Sequence, residues 1–249
     1  MKRARYKDEK GIDRECFAKW ARRKDNEKGI ITPQARILRF LSKMGIQGIP
    51  RVLDFVETVY GKRIILFEKF PEGGTLDEKI EALSKEEVVD IMLKVTRIVE
   101  SLLAEGVYHW DIKPDNIWVT NKGEVILFDF DLAFMGKDEF TDRKLYFCGD
   151  PKFMSKRRRD IMFGPTSFLH EKVPFVPADE IFSLGRSLEV LLSERRPPDL
   201  QSLIDKACAG RYETIDEFRI DLEKVAVSMA ASNKPIEMIV DAHRAGSNI

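Results

Sequence analysis

Short apolar stretches separated by polar turns fill the first seventy residues of the chain. Their composition and spacing predict strands at residues 15–21, 51–59 and 63–70, with residues 3–7 as a hairpin partner of the first. Apolar residues recur at every third position across residues 32–45, a segment that ends on a glycine, and this spacing predicts a helix. The order in this part is therefore strand, helix, strand, strand.

Helical periodicity dominates the rest of the chain. Residues 83–106 predict the clearest helix, and Ser84 with Glu87 forms a capping box at its start. A hairpin is predicted at residues 117–130, whereas residues 131–177 show little periodicity, which is typical of functional or disordered segments. Further helices are predicted at three places: 179–194, 199–210 and 215–231. The pattern thus predicts an α+β protein with a small strand-rich part and a larger helical part.

Composition limits the partners without identifying one. At 249 residues and 43% hydrophobic content, the chain can bury a core that suits one large domain or two lobes. Lys+Arg and Asp+Glu both number 42, so no net charge favours a nucleic acid or an anionic membrane as partner. We therefore expect neither.

Cysteine usage and hydropathy suggest a compartment. Cys16, Cys148 and Cys208 are far apart and odd in number, which favours a reducing environment over a disulfide framework. No apolar run approaches the roughly 18 residues of a membrane span, and no signal-peptide pattern follows the charged start. We expect an intracellular, cytoplasmic protein.

The densest chemistry lies in the stretch YHWDIKPDNIWV and in the DFD that follows it. Asp111, Asn116 and Asp129 offer oxygen ligands of the kind that Mg²⁺ prefers, and the predicted hairpin would bring them together. Lys113 would place a positive charge beside them, as phosphoryl transfer requires. The alternative is that DIKPDN is an ordinary turn, since Pro, Asp and Asn all supply turn chemistry.

DIKPDN followed by a strand, a turn and an apolar run ending in DFD resembles the catalytic loop and magnesium loop of the protein kinase family, HRDLKPxN and DFG. FAKW is similar to the family's lysine-bearing strand, QARILRFL to the next helix, and ILFEKFPEGGTL to the last small-lobe strand and hinge. CGDPKFMS is similar to GTPxYMAPE, EIFSLGRSL to the central helix, and RYETIDEF to a segment near the family's end. The resemblance covers roughly residues 5–225.

The resemblance implies a protein-kinase-like bilobal fold with a reduced β-rich small lobe and a mainly α-helical large lobe. It places the small lobe at residues 1–69, the hinge at 70–76 and the large lobe at 77–249. A protein substrate is implied as well.

The resemblance also implies roles for the four residues of the acidic and basic cluster. Asp111 would orient and deprotonate the attacking hydroxyl, and Lys113 would neutralise the transferring phosphoryl group. Asn116 and Asp129 would hold Mg²⁺.

ATP contacts follow in the same way. Lys19 would contact the α- and β-phosphates, and backbone groups of Glu68 and Phe70 would bind the adenine behind Phe67. Trp118 would lie on the strand that forms the adenine floor.

The start of the chain departs from the family pattern. Eighteen residues precede Lys19 in this sequence, and no GxGxxG lies among them, so we expect no counterpart of the glycine-rich loop within it and a possible partner that completes the small lobe. Phe17 stands where the family has a small residue above the adenine.

Charged positions depart too. Gln34 stands where the family has the glutamate that pairs with the strand lysine, and Glu27 is a candidate substitute. Trp110 replaces the arginine of HRD, and Asp131 replaces the glycine of DFG, either as a further metal ligand or as a brace for the loop. Glu180 replaces the aspartate that begins the central helix.

The activation segment departs as well. Lys156 and Arg157 occupy the Pro and Glu positions of the APE motif, so the family's ion pair to Arg211 has no acid. The run KRRR from Lys156 to Arg159 is either a solvated loop surface or a docking site for an acidic substrate or a nucleic acid.

Three functions are compatible with these residues. The first is a Mg-ATP-dependent serine/threonine protein kinase, favoured because the base and metal residues are all present. The second is a pseudokinase that acts as a binding or regulatory module, suggested by the absent loop, Phe17 and Gln34. The third is phosphotransfer to a sugar or another small alcohol. Lys113 with its following proline, and the EIFSLG helix, favour a protein acceptor.

Overall fold

The computed structural model describes residues 2–8, 10–20, 31–57, 63–136, 149–164, 176–193 and 196–232. Within these ranges a four-stranded antiparallel sheet with one helix forms the first part of the chain. The rest is mainly helical. Glu27, Cys148 and the predicted turn between the third and fourth strands lie outside the described residues.

The first part is built as its alternating pattern predicts. Strands β1 (Lys2–Lys7), β2 (Asp13–Trp20), β3 (Val52–Glu57) and β4 (Arg63–Glu68) have the spatial order β1-β2-β4-β3. Helix α1 (Ile31–Lys43) contacts β3 and β4 with an apolar face that is fully buried. The predicted strand, helix, strand, strand order and the β1–β2 hairpin are present.

The large part consists of helices with short sheets between them. Its helices are α2 (Leu76–Lys79), α3 (Lys85–Ala104), α4 (Lys156–Phe163), α5 (Pro177–Leu191), α6 (Pro198–Cys208) and α7 (Ile215–Ser232). Among the described residues, the 3₁₀ turns that accompany them are η1 (Ile80–Ala82), η2 (Pro114–Asn116) and η3 (Pro151–Phe153). The predicted capping box is present at α3, where Ser84 Oγ accepts from the Glu87 amide at 3.2 Å and Glu87 Oε2 accepts from the Ser84 amide at 2.8 Å.

Two small sheets among the described residues position the loops that contain the predicted site residues. Strands β5 (Gly73–Thr75), β7 (Ile117–Thr120) and β8 (Val125–Leu127) form one antiparallel sheet in the order β5-β7-β8. Strand β6 (Val107–Tyr108) pairs with β9 (Phe134–Met135). The β6–β7 and β8–β9 connections therefore leave neighbouring strands and lie side by side.

Helix α4 was not predicted, because its sequence KRRRDIMF lacks an amphipathic apolar stripe. Ser155 begins it by accepting a hydrogen bond from the Arg158 amide at 3.0 Å, which satisfies one of the free N–H groups of the first turn. Tertiary contacts of its arginines, described below, stabilise it in place of an apolar face.

Helices α5 and α6 approach closely at a glycine. A Cβ atom built on Gly185 would lie 2.6 Å from the Cβ of Ala207, which is well inside van der Waals contact. We expect Gly185→Ala to lower the free energy of unfolding by about 1–2 kcal/mol, because overpacking outweighs the better helix propensity of alanine. Chemical denaturation measures this change.

The swapped double variant Gly185→Ala/Ala207→Gly supplies the control, since it keeps the composition of the contact and removes the clash. Its stability should return close to that of the wild type. A fully additive double variant would show that the two positions do not touch.

Candidate active site

Backbone contacts join the β6–β7 loop to the β8–β9 loop. The Phe128 amide donates to the carbonyl of Asn116 at 2.9 Å. His109 accepts from the Asp111 amide through Nδ1 at 3.3 Å, so its Nε2 is the atom that donates to the Phe128 carbonyl at 3.0 Å. Burial lowers the pKa of His109 to about 4, which keeps the ring neutral in this bridging role. Hydrogen bonds of Phe128 with Asn116 and His109 therefore join the two loops directly.

The first loop gathers three of the predicted site residues. Asn116 Nδ2 donates at 2.8 Å both to the Asp111 carbonyl and to Asp111 Oδ2. Lys113 Nζ lies 3.1 Å from the same Oδ2. The Asp111 carboxylate is therefore oriented by an amide and a positive charge, as a group that must face an incoming hydroxyl requires.

The second loop meets Lys19, which reaches it from β2. Lys19 Nζ forms an ion pair with Asp129, and it lies 2.7 Å from Asp131 Oδ1. The lysine side chain is only 17% exposed, so these contacts act in a partly dehydrated setting. One ammonium group thus links the four-stranded sheet to the loop below it.

Charge and burial set the protonation of this trio. Burial lowers the pKa of Lys19, but the charges of Asp131 and Asp129 outweigh it, so the net pKa lies above its usual value. Burial raises the pKa of Asp129, but Lys19 outweighs it and the net pKa is lowered. Burial raises the pKa of Asp131, and the charge of Asp129 adds to this rise against the opposing effect of Lys19. The net pKa of Asp131 is raised, so Asp129 is the more readily ionised of the two carboxyl groups.

Gln34 lies against the same loop, from α1. It is buried, and we assign its amide the orientation that satisfies both atoms, in which the nitrogen donates to Asp131 Oδ1 at 3.1 Å and the oxygen accepts from the Phe130 amide at 3.2 Å. Gln34 therefore contacts Asp131, one of the two acidic partners of Lys19. The sequence did not identify Asp131 as a partner of Lys19. A possible signal was that an acid is gained at position 131 where one is lost at position 34.

Two residues of these loops have left-handed backbone conformations. Trp110 has φ of 64° and Asp129 has φ of 67°, values that non-glycine residues rarely adopt. Such strain costs on the order of 1–3 kcal/mol at each residue and persists only where surrounding contacts enforce it. The contacts of Trp110 show how it is enforced.

Trp110 is buried beneath the first loop between an acidic and a basic side chain. Its amide donates to Glu180 Oε1 on α5 at 2.8 Å, and the guanidinium of Arg158 lies 4.4 Å from its ring centroid in a cation–π contact. Burial raises the pKa of Glu180 to about 7 in spite of the nearby Arg158 charge. Glu180 thus holds the backbone at the start of the first loop by accepting a hydrogen bond from the Trp110 amide.

The KRRR run is neither a solvated loop nor a uniformly exposed docking surface. Arg157 forms an ion pair with the buried Asp179, and Arg158 is 2% exposed on Trp110. Arg159 donates to the carbonyls of Pro151 and Met154. Lys156 is the member of the run that is exposed. The arginines attach α4 to neighbouring residues. At the position where the APE motif has a glutamate that pairs with an arginine, Arg157 pairs with an aspartate.

Four aromatic rings meet between the sheet and the loops. The Phe70 ring centroid lies 5.3 Å from that of Phe17 on β2, and 5.8 Å from those of both Trp118 and Phe128. Trp118 is fixed by a hydrogen bond from Nε1 to the Pro71 carbonyl at 3.1 Å. Phe70 therefore contacts rings from both parts of the protein.

The donor set suits a divalent cation that is completed by other ligands. Asn116 uses its amide nitrogen for Asp111, which leaves the amide oxygen as the atom that can bind a cation, and Asp129 offers a carboxylate. Among the described residues, no three His, Cys, Asp or Glu side chains come close enough to form a metal site by themselves. In the same part of the chain, no helix has the length and apolar character needed to cross a membrane.

This arrangement of a strand lysine above two paired acidic loops agrees with a comparison of the whole sequence. Residues 11–224 match the family of the protein kinase domain, and the chain belongs to the protein kinase family. The α+β fold class predicted from the sequence is confirmed. Protein kinases use ATP, usually with Mg²⁺.

Similar proteins are serine/threonine kinases by name. CBL-interacting serine/threonine-protein kinase 9 of Arabidopsis thaliana is 25% identical over 185 residues, which cover 71% of this chain and 39% of that protein. Serine/threonine-protein kinase PAK 4 of Homo sapiens is 30% identical over 171 residues, which cover 68% of this chain and 27% of that protein. The chain thus matches well under half the length of either relative.

The buried carboxyl of Glu180 leads to a prediction about pH. Its pKa rises from 4.5 to about 7 on folding, so the folded state binds more protons than the unfolded state in this window. The stability that this group contributes is complete below pH 4.5 and is lost as the pH rises to 7. We expect Glu180→Gln to gain about 3 kcal/mol in unfolding free energy relative to the wild type across this window.

Urea denaturation at a series of pH values measures the difference. Glu124→Gln at an exposed position is the matched control, and its difference from the wild type should not change with pH. A pH-independent difference for Glu180→Gln as well would mean that the pKa of Glu180 is the same in the folded and unfolded states.

Proposed function

We propose that the protein is a serine/threonine protein kinase that transfers the γ-phosphoryl group of Mg-ATP to a protein hydroxyl. The observation that carries this proposal is the placement of Asp111 against Lys113 and Asn116, with Lys19 and Asp129 joined above the neighbouring loop. Phosphoryl transfer needs positioning and positive charge more than covalent chemistry, and these five side chains supply both.

Each residue has a distinct role in the proposed reaction. Asp111 accepts the proton of the attacking hydroxyl as its oxygen bonds to the γ-phosphorus and the bond to the β–γ bridging oxygen breaks, which releases ADP. Lys113 balances the charge that is transferred, because its ammonium group lies beside the base. Lys19 binds the α- and β-phosphates. Asn116 and Asp129 would hold Mg²⁺, which neutralises phosphate charge when bound.

The adenine is proposed to lie between Phe17 as roof and Trp118 as floor, with its edge at the backbone of Glu68 and Phe70. This assignment follows the positions that the family resemblance gives to these residues. It agrees with a division into a small lobe at 1–69, a hinge at 70–76 and a large lobe at 77–249.

The catalytic base has a direct test. Asp111→Asn removes the proton acceptor but keeps the shape of the side chain, so the rate of phosphate transfer should fall by at least about 100-fold. Transfer of radiolabelled phosphate to a generic protein substrate and to small hydroxylated acceptors measures the rate and also separates the two acceptor classes.

Asp199→Asn, at an exposed position in the first turn of α6, is the control and should retain the wild-type rate. Background transfer by the wild type to every acceptor would reject the proposed activity. Full activity in Asp111→Asn would reject its role as base.

Phe70 should oppose adenine binding. Its ring is buried against the proposed roof and floor, so the nucleotide must displace it on entry. Displacing a buried ring costs about 1.5–3 kcal/mol, so Phe70→Ala should bind Mg-ATP at least about tenfold more tightly, as measured by calorimetry.

Phe163→Ala, which truncates an exposed ring on α4, is the control and should bind like the wild type. Weaker binding by Phe70→Ala would show instead that the ring is a wall of the site.

A further inference from the structure

We propose that Asp131, the second carboxylate of DFD, is the acidic residue that positions Lys19 for the nucleotide phosphates. This inference rests on the proposed kinase function and adds a positioning residue to it. It assigns the lysine's partner to the loop, whereas the family resemblance placed that partner on α1.

The first support is direct contact. Lys19 Nζ lies 2.7 Å from Asp131 Oδ1, a distance typical of a strong charge-assisted hydrogen bond. The lysine is 17% exposed and the carboxylate 35%, so solvent screens this pair less than it screens a surface ion pair.

The second support is the contact behind the carboxylate. Gln34, which is 2% exposed, donates to Asp131 Oδ1 at 3.1 Å and accepts from the Phe130 amide at 3.2 Å. Helix α1 therefore orients the loop through an uncharged amide, and the loop orients the lysine through a charge. The order of contacts runs from Gln34 to Asp131 to Lys19.

The third support is the division of work between the two carboxylates. Asp129 is also the proposed cation ligand, and a carboxylate that binds a divalent cation offers less to a neighbouring ammonium group. Asp131 would keep Lys19 in place when Asp129 binds the cation. With Asp129 as its sole partner, Lys19 would compete with the cation.

Asp131→Asn tests this assignment because it removes the charge and keeps the shape. We expect the KM for ATP to rise roughly tenfold or more, the range for loss of a charge-assisted hydrogen bond, with a smaller fall in kcat. The Mg²⁺ concentration for half-maximal activity should stay the same. Asp13→Asn, an exposed residue at the start of β2, is the matched control and should show neither change.

Relocation of the charge gives the sharper result. Gln34 is within hydrogen-bond reach of Asp131, so Asp131→Asn/Gln34→Glu returns a carboxylate to the same cluster on the helix side. This double variant should recover the KM for ATP to within about threefold of the wild type. A merely structural role for Asp131 would not be restored by adding an acid elsewhere.

A second measurement does not depend on activity. Loss of the Asp131 charge should lower the pKa of Lys19, so a small acylating reagent at fixed pH should label Lys19 faster in Asp131→Asn, as mass spectrometry detects. The double variant should reverse this change. If the wild type transfers no phosphate, the kinase proposal fails, and the labelling still decides the pairing.

Three results would overturn the inference. These are wild-type kinetics and labelling in Asp131→Asn, no recovery in the double variant, or a changed Mg²⁺ requirement with an unchanged KM for ATP. The last result would make Asp131 a metal ligand. Circular dichroism checks folding, and Asp131→Ser replaces Asp131→Asn if the latter does not fold.

Discussion

The ion pairing of Lys19 with two carboxylates of a single loop is the interaction on which the candidate active site depends. Lys19 belongs to the four-stranded sheet, whereas Asp129 and Asp131 follow β8 in the other part of the protein. A buried lysine without partners would lose its charge or its place. The pairing therefore links the sheet to the loop that follows β8, and it places a positive charge where the proposed nucleotide would bring its anionic phosphates.

Beneath the cleft, buried polar groups hold the first loop in a strained conformation. Trp110 has a positive φ, and its amide and ring are both contacted by charged residues, Glu180 and Arg158. The arginine of HRD is absent, but the guanidinium of Arg158 on α4 lies against Trp110, the residue that replaces it. Trp110 therefore joins the first loop to both α4 and α5.

Charge relocation is a common feature of these departures. The acid absent at Gln34 is matched by Asp131 in contact with it, and the acid absent at Arg157 is matched by Asp179 in an ion pair with it. In the first case Lys19 keeps an acidic neighbour on the loop, and in the second α4 has an ion pair with Asp179 on α5 instead of one with Arg211. A motif comparison counts these positions as losses, but the contact itself is a property of the pair. For this reason these departures from the family motifs favour a pseudokinase less strongly than each substitution does when it is considered alone.

The sequence by itself determined the elements and the candidate site residues. Strand alternation, helical periodicity and the capping box at Ser84 are local signals, so they predicted β1 to β4, α1, α3 and α5 to α7 within a few residues. DIKPDN and DFD are also local, and they identified Asp111, Lys113, Asn116 and Asp129. Helix α4 escaped prediction because it lacks an apolar stripe and is instead stabilised by contacts of Arg157 and Arg158 with residues far along the chain. Only the tertiary structure decided that Lys19 pairs with Asp131, that Arg158 stacks on Trp110 and that Phe70 lies among three other rings. These contacts join positions far apart in the chain, and spacing along a sequence carries no information about which distant side chains meet.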